Sequence, residues 1–178
     1  MRLFVALPLP RETRKAFIAW TRKCVAPPIL RWTPEEQLHI TMHFLGEVED
    51  ARVRIVTVAL DGIHARSFDV EFDRIEVLGR ASVLVAATKL TPQIAALEID
   101  VRARVLALGK MPEAGREFRP HVTLARARRG ESVPKVRSFP PLPKIGFAAT
   151  CFRLYRSELL REGAVHTIIR EWPLDGSS

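Results

Sequence analysis

Two short stretches of this chain are near copies: His39-Ile40-Thr41-Met42 and, 82 residues further on, His121-Val122-Thr123-Leu124. In each, a histidine stands two places before a threonine, with apolar residues between and after. Side chains on a β-strand alternate faces, so residues i and i+2 point the same way. The pattern predicts two strands, each presenting an imidazole beside a hydroxyl and turning Ile40 and Met42, or Val122 and Leu124, into a core. A lone His-x-Thr reads as a strand histidine with a structural hydrogen bond. Two copies in matching apolar frames read as one site built by two strands. Histidine exchanges protons near neutral pH, so the pair can offer one substrate a general acid and a general base.

The length of 178 residues suits one domain or two small lobes sharing a core. With 47% hydrophobic residues and a mean hydropathy of +0.02, the chain reads as soluble and well able to bury that core. No apolar run approaches the roughly 20 residues of a membrane span. The start, Met1 to Leu7, is apolar but short, and Pro8, Pro10 and the charged Arg11-Glu12 follow. It reads as a first core strand rather than a leader, which places the protein in the cytoplasm. Cys24 and Cys151 fit free buried thiols, not a disulfide scaffold. The histidines lack His-Glu-x-x-His spacing and no Asp or Glu cluster surrounds them, so neither metal nor cofactor is expected. The net charge is +8, carried by 22 Arg and six Lys against 20 acidic residues. Such a balance points to a polyanionic partner or substrate, and arginine's planar fork suits phosphate.

Along the chain, strands are expected over 2–8, 30–33, 37–45, 68–78, 82–90, 118–127, 147–160 and 165–172. Helices are expected over 11–26, 50–65 and 92–108 from their apolar stripes. Gly79-Arg80 and Glu162-Gly163 read as hairpin turns, and 128–144 as a surface loop. No linker divides the chain. The predicted class is α+β: one two-lobed domain over 1–178, with two antiparallel sheets facing a central groove and helices outside.

The segment from Arg31-Trp32-Thr33-Pro34 to His39-Ile40-Thr41-Met42-His43-Phe44-Leu45-Gly46 resembles the first signature of the two-histidine phosphoesterases. The segment Arg116-Glu117-Phe118-Arg119-Pro120-His121-Val122-Thr123-Leu124-Ala125-Arg126 resembles the second. The opening MRLFVALPLP and the closing Leu154-Tyr155-Arg156-Ser157-Glu158 with Gly163 to Thr167 fit as well. The resemblance spans nearly the whole chain and is closest to the RNA 2′,3′-cyclic phosphodiesterases, also named 2′-5′ RNA ligases. It implies metal-free opening of a ribose 2′,3′-cyclic phosphate at an RNA end, tRNA fragments among them, to a 2′-phosphate. By that analogy His121 is the proton acceptor and His39 the proton donor to the departing O3′. Thr41 and Thr123 hydrogen-bond phosphate oxygens, Arg126 grips the phosphate, and Phe44 stacks on the terminal base. A monomer is expected. Reversible 2′-5′ ligation is the same chemistry run backwards. The alternatives are a phosphodiesterase for a small cyclic nucleotide and a non-catalytic RNA-binding module.

Phe44 and Arg126 stand five places after their histidines, on the opposite parity. Strict alternation would turn both away from the groove, so a bulge or strand end has to re-aim them. Alternation alone selects His43 instead, against the reading of an edge-strand histidine in solvent. His64 reads as a surface or capping residue, and His166, in the closing strand, as a neighbour of the groove at most. Trp20, Trp32 and Trp172 read as core aromatics rather than base platforms. Arg119 sits at a strand end, and Arg126 to Arg129 could extend a phosphate-binding surface.

Overall fold

The computed structural model describes residues 1–24, 28–79, 82–109, 117–160 and 163–176. Its first strand, β1 (Arg2–Pro8), is apolar on both faces and accordingly buried on both. Leu3, Val5 and Leu7 enter the main core cluster, while Phe4 and Ala6 lie on the other face. Helix α1 (Arg11–Thr21) follows, then the short β2 (Leu30–Trp32) and the first motif strand β3 (His39–Glu47). Helix α2 (Val53–Asp61) leads to a hairpin of β4 (Phe68–Leu78) and β5 (Val83–Thr88). At its turn Gly79 has φ +61°, a left-handed conformation that glycine adopts without strain. Helix α3 (Pro92–Leu106) starts on a Thr91 hydroxyl that accepts from the Ile94 N–H at 3.4 Å, with Pro92 in the first turn. The second motif strand β6 (His121–Ala127) then precedes the 128–144 stretch, irregular apart from a 3-10 turn at Val136–Ser138. The chain closes with β7 (Ile145–Ala149), β8 (Cys151–Leu160) and β9 (Gly163–Pro173).

All named strand pairs are antiparallel, in the order β7-β4-β5-β6-β3-β1-β8-β9, with β2 also on β6. The two expected sheets are thus halves of one path. They meet at β3 and β6 through a single residue pair, Ile40 with Val122. Those are the central residues of the two His-x-Thr motifs, and both have no exposed surface. The apolar residue between histidine and threonine is therefore the joint that holds the halves together. α1 buries Phe17 against Phe72 of β4, their ring centroids 4.9 Å apart. α3 turns Ile94, Leu97, Val101 and Val105 into the core.

Three expectations need correction. The single strand predicted over 147–160 breaks at Thr150: β7 pairs with β4 in one half, while β8 pairs with β1 in the other. Thr150 is the crossover, its carbonyl held by the Leu174 N–H at 2.8 Å. The helix predicted to reach residue 65 stops at Asp61, because Arg104 of α3 caps it. That guanidinium donates to the carbonyls of Ala59 at 3.2 Å and Gly62 at 2.6 Å. The motif strands start at their histidines rather than at residues 37 and 118, Gln37 ending a 3-10 turn. The first runs on through Gly46 (φ +69°) to Glu47. Val25 of the first predicted helix, Arg80 and Glu162 of the predicted turns, and Arg116 of the second signature lie outside the described residues. Among the described residues, no helix is long and apolar enough to cross a membrane.

Candidate active site

Each motif strand carries an extra residue at the same place, and β3 has a further one at Leu45, where Phe4 pairs with Phe44 but Leu3 with Gly46. On β3, Ala6 pairs with Thr41 but Val5 with His43, so Met42 is unmatched. On β6, Val85 pairs with Thr123 but Leu84 with Ala125, leaving Leu124 unmatched. Met42 and Leu124 each stand three places after their histidine, and each reverses the alternation that follows. Burial records the reversal: Met42 and His43 are both buried before exposed Phe44, and Leu124 and Ala125 before exposed Arg126. Phe44 and Arg126 are thereby re-aimed, as their off-parity positions require. Phe44 leaves 64% of its surface exposed. The guanidinium of Arg126 has no hydrogen bond or ion pair among the described residues.

The two imidazoles are set alike. The Nδ1–H of His39 donates to the Gln37 carbonyl at 2.7 Å, and that of His121 to the Arg119 carbonyl at 2.7 Å. A main-chain acceptor two residues back fixes the tautomer with the proton on Nδ1. The Nε2 atoms are left for chemistry. Nε2 of His39 accepts the Thr41 hydroxyl at 3.1 Å. Gln37, whose carbonyl holds His39, is itself tied through its amide to the carbonyl of Ala164 at the start of β9. Carrying the Ile40–Val122 register one residue each way places Thr41 across from His121 and His39 across from Thr123.

Beneath His39 lies Phe4, almost fully buried, at the centre of a ring cluster. Its centroid is 4.9 Å from His39, 5.1 Å from Tyr155, 5.0 Å from His166 and 6.0 Å from Phe44. His166 stands edge-on to His39 at 5.4 Å. Burial pushes the His39 imidazole down to about 4; the Gln37 carbonyl opposes this, and the two other histidines add to it. Burial also lowers His166. Free of ligand, His39 is therefore neutral at pH 7. The sequence did not single out Phe4 or Tyr155 and left His166 only a neighbour's place. The available signal was parity: Phe4 lies on the face of β1 opposite Leu3 and Val5.

The remaining candidates sort cleanly. His43 is not in solvent; it is buried and lines a cavity with Phe44 and His121. His64 is exposed beyond the end of α2. Trp20 and Trp172 are core residues, with Trp32 edge-on to Trp20. Arg119 is exposed and paired with Glu117 at 3.0 Å. Cys24 and Cys151 are free thiols. Among the described residues, no three His, Cys, Asp or Glu side chains gather into a metal-binding group.

The LigT like Phosphoesterase family model matches residues 7–85, which include the first motif. The RNA 2′,3′-cyclic phosphodiesterase of Escherichia coli K12 is 29% identical over 97% of this chain and 96% of its own length. Over nearly its whole length the chain is similar to the LigT-like phosphoesterases. The family model ends before the second motif, but that full-length relative carries the likeness beyond it. Solved LigT-like structures agree in fold. The crystal structure of E. coli LigT complexed with 3′-AMP aligns with a TM-score of 0.84 at 28% identity, covering 97% of both chains. That of TT0787 of Thermus thermophilus aligns at 0.86 and 28% identity, covering 100% of both. In this LigT-like chain the two motifs run on to Phe44 in one and Arg126 in the other.

Proposed function

We propose that this protein hydrolyses RNA 2′,3′-cyclic phosphate ends by two-histidine acid–base catalysis, as one two-lobed domain acting as a monomer. One observation carries the reading: two imidazoles, each locked through Nδ1 by a main-chain carbonyl, on the two strands that meet at the centre of the fold. The curated relatives carry the name RNA 2′,3′-cyclic phosphodiesterase, and E. coli LigT was crystallised with 3′-AMP.

In the reaction, Nε2 of His121 takes a proton from water as the oxygen attacks phosphorus. The P–O3′ bond breaks and Nε2–H of His39 protonates the departing O3′, leaving a 2′-phosphomonoester. Thr41 and Thr123 donate to the phosphoryl oxygens. Arg126 clamps them bidentately where negative charge develops. Phe44 stacks on the terminal base. A 5′-hydroxyl in place of water makes a 2′-5′ bond by the same transfers.

The donor role needs a protonated His39, which burial opposes in the free protein. The bound phosphate supplies the neighbouring negative charge that raises it again. The same depressed value favours a second reading in which His39 is the base and His121 the acid, with O2′ departing in place of O3′. Mass and chromatographic analysis of the product from an oligonucleotide cyclic phosphate, with chelator present, decides. A 2′-phosphate keeps His39 as donor; a 3′-phosphate exchanges the roles; no turnover without added metal overturns the metal-free mechanism.

A further inference from the structure

A cavity of about 500 Å³ adjoins the motif strands, lined among others by Thr41, Phe44, His121, Glu98 and Arg102. That is room for a small molecule. Three of those residues serve the reaction; Glu98 does not. It sits on the inward stripe of α3 between Leu97 and Val101, with only 6% of its surface exposed. Its one partner among the described residues is Arg102, whose Nε lies 3.2 Å from Oε1. A carboxylate offers about four lone-pair sites, so this contact leaves most of its accepting capacity unmet. Burial raises its pKa and Arg102 pulls it back. On the cavity side the carboxylate can accept further donors from a group lodged there.

The proposed hydrolysis supplies such a group. A base stacked on the exposed Phe44 ring turns its edge toward the cavity wall. Uracil presents one N–H between two carbonyl oxygens that repel a carboxylate. Adenine and cytosine each present one amino group. Guanine alone presents two adjacent donors, N1–H and the N2 amino, beside an acceptor, O6. A carboxylate takes the two donors in parallel, and an adjoining guanidinium donates to O6. Glu98 with Arg102 carries that complement.

We propose that Glu98 and Arg102 form a base-reading subsite that selects guanosine as the nucleotide bearing the cyclic phosphate. The proposal rests on the hydrolytic reading of the same groove. Its test uses two measurements on the full chain: calorimetric binding of guanosine and uridine 2′-monophosphates, and kcat/KM on dinucleotides ending in guanosine or uridine cyclic phosphate. Guanosine is expected to be favoured by about tenfold or more in both, the discrimination of a bidentate contact. In Glu98→Gln the guanosine-to-uridine ratio should collapse toward one. A ratio measured on one preparation does not depend on its folded fraction, so instability cannot mimic the result. Equal binding of the two nucleotides by the wild-type chain, or an unchanged ratio in Glu98→Gln, overturns the subsite. Turnover with no base preference removes the subsite and keeps the hydrolysis. Guanosine-selective binding without turnover does the reverse.

Discussion

Replacing Arg126 by Lys keeps a positive charge in the groove and removes the planar fork. If the guanidinium clamps two phosphoryl oxygens, the variant should lose about 10²-fold in kcat with a small change in KM, since the contact strengthens in the transition state. An unaltered kcat would reduce Arg126 to a surface charge. Phe44→Ala should weaken substrate binding by about 1–3 kcal/mol through lost stacking. With the ring 64% exposed, its melting temperature should stay near that of the wild type; a large drop with unaltered binding would return Phe44 to a packing role. His39 gives a pH signature of its own. Unfolded, its pKa is near 6.5, and folded it falls to about 4. Between these values the unfolded chain binds a proton that the native state refuses. The stability is therefore full above about pH 6.5 and declines as pH falls, by about 3 kcal/mol once pH 4 is reached. Urea unfolding at pH 7 and pH 5 should show a smaller loss in His39→Gln than in the wild type; equal losses would mean His39 is not desolvated. At this scale the paired histidines and threonines were legible because the motif is short and repeated, whereas Phe44 and Arg126 came from the family resemblance alone, alternation having selected His43. Phe4, Tyr155 and His166 were not legible, because their meeting with His39 depends on three strands distant in sequence.

Both motif strands depart from regular pairing three places after the histidine, and there Phe44 and Arg126 change face. Met42 and Leu124 are apolar and buried like any core position, so nothing in their identity announces an unmatched residue. The need for a bulge was readable from the parity of Phe44 and Arg126; its position was not. Thr150 was hidden for a related reason. No glycine or proline marks the change of partner from β4 to β1, and the strand-like pattern of 145–160 continues across it. The early end of α2 was set from outside by Arg104, whose part a single helix's sequence cannot reveal. That contact is testable. Arg104→Ala removes two carbonyl caps and an ion pair with Asp100 at 2.9 Å. It should cost about 1–2 kcal/mol in chemical denaturation. Arg104 lies outside the groove, so turnover at 25 °C should hold. A stability change below a few tenths of a kcal/mol would show that α2 ends without its help.

Across the whole molecule, the halves share one core cluster and a single strand-to-strand pair, Ile40 with Val122, so the two motif histidines flank the most buried point of the joint. The fold class was legible from alternating helical and strand periods. The division into halves was legible from the repeated motif, while their fusion into one path was not, since a one-pair junction leaves no pattern. Charge is the remaining property of this scale. The excess of +8 includes exposed Arg31, Arg126, Arg128 and Arg129 on and beside β2 and β6. An RNA strand lying there would displace counterions from several phosphates, whereas a small cyclic nucleotide would meet Arg126 alone. For single strands log affinity falls with log salt by about 0.7 per phosphate contacted. Between low and moderate salt, kcat/KM on an oligonucleotide cyclic phosphate should therefore drop steeply. On a mononucleotide cyclic phosphate it should drop with a slope near that of one contact. Parallel slopes for the two substrates would mean that the basic surface takes no part, and would move the function to a small cyclic nucleotide.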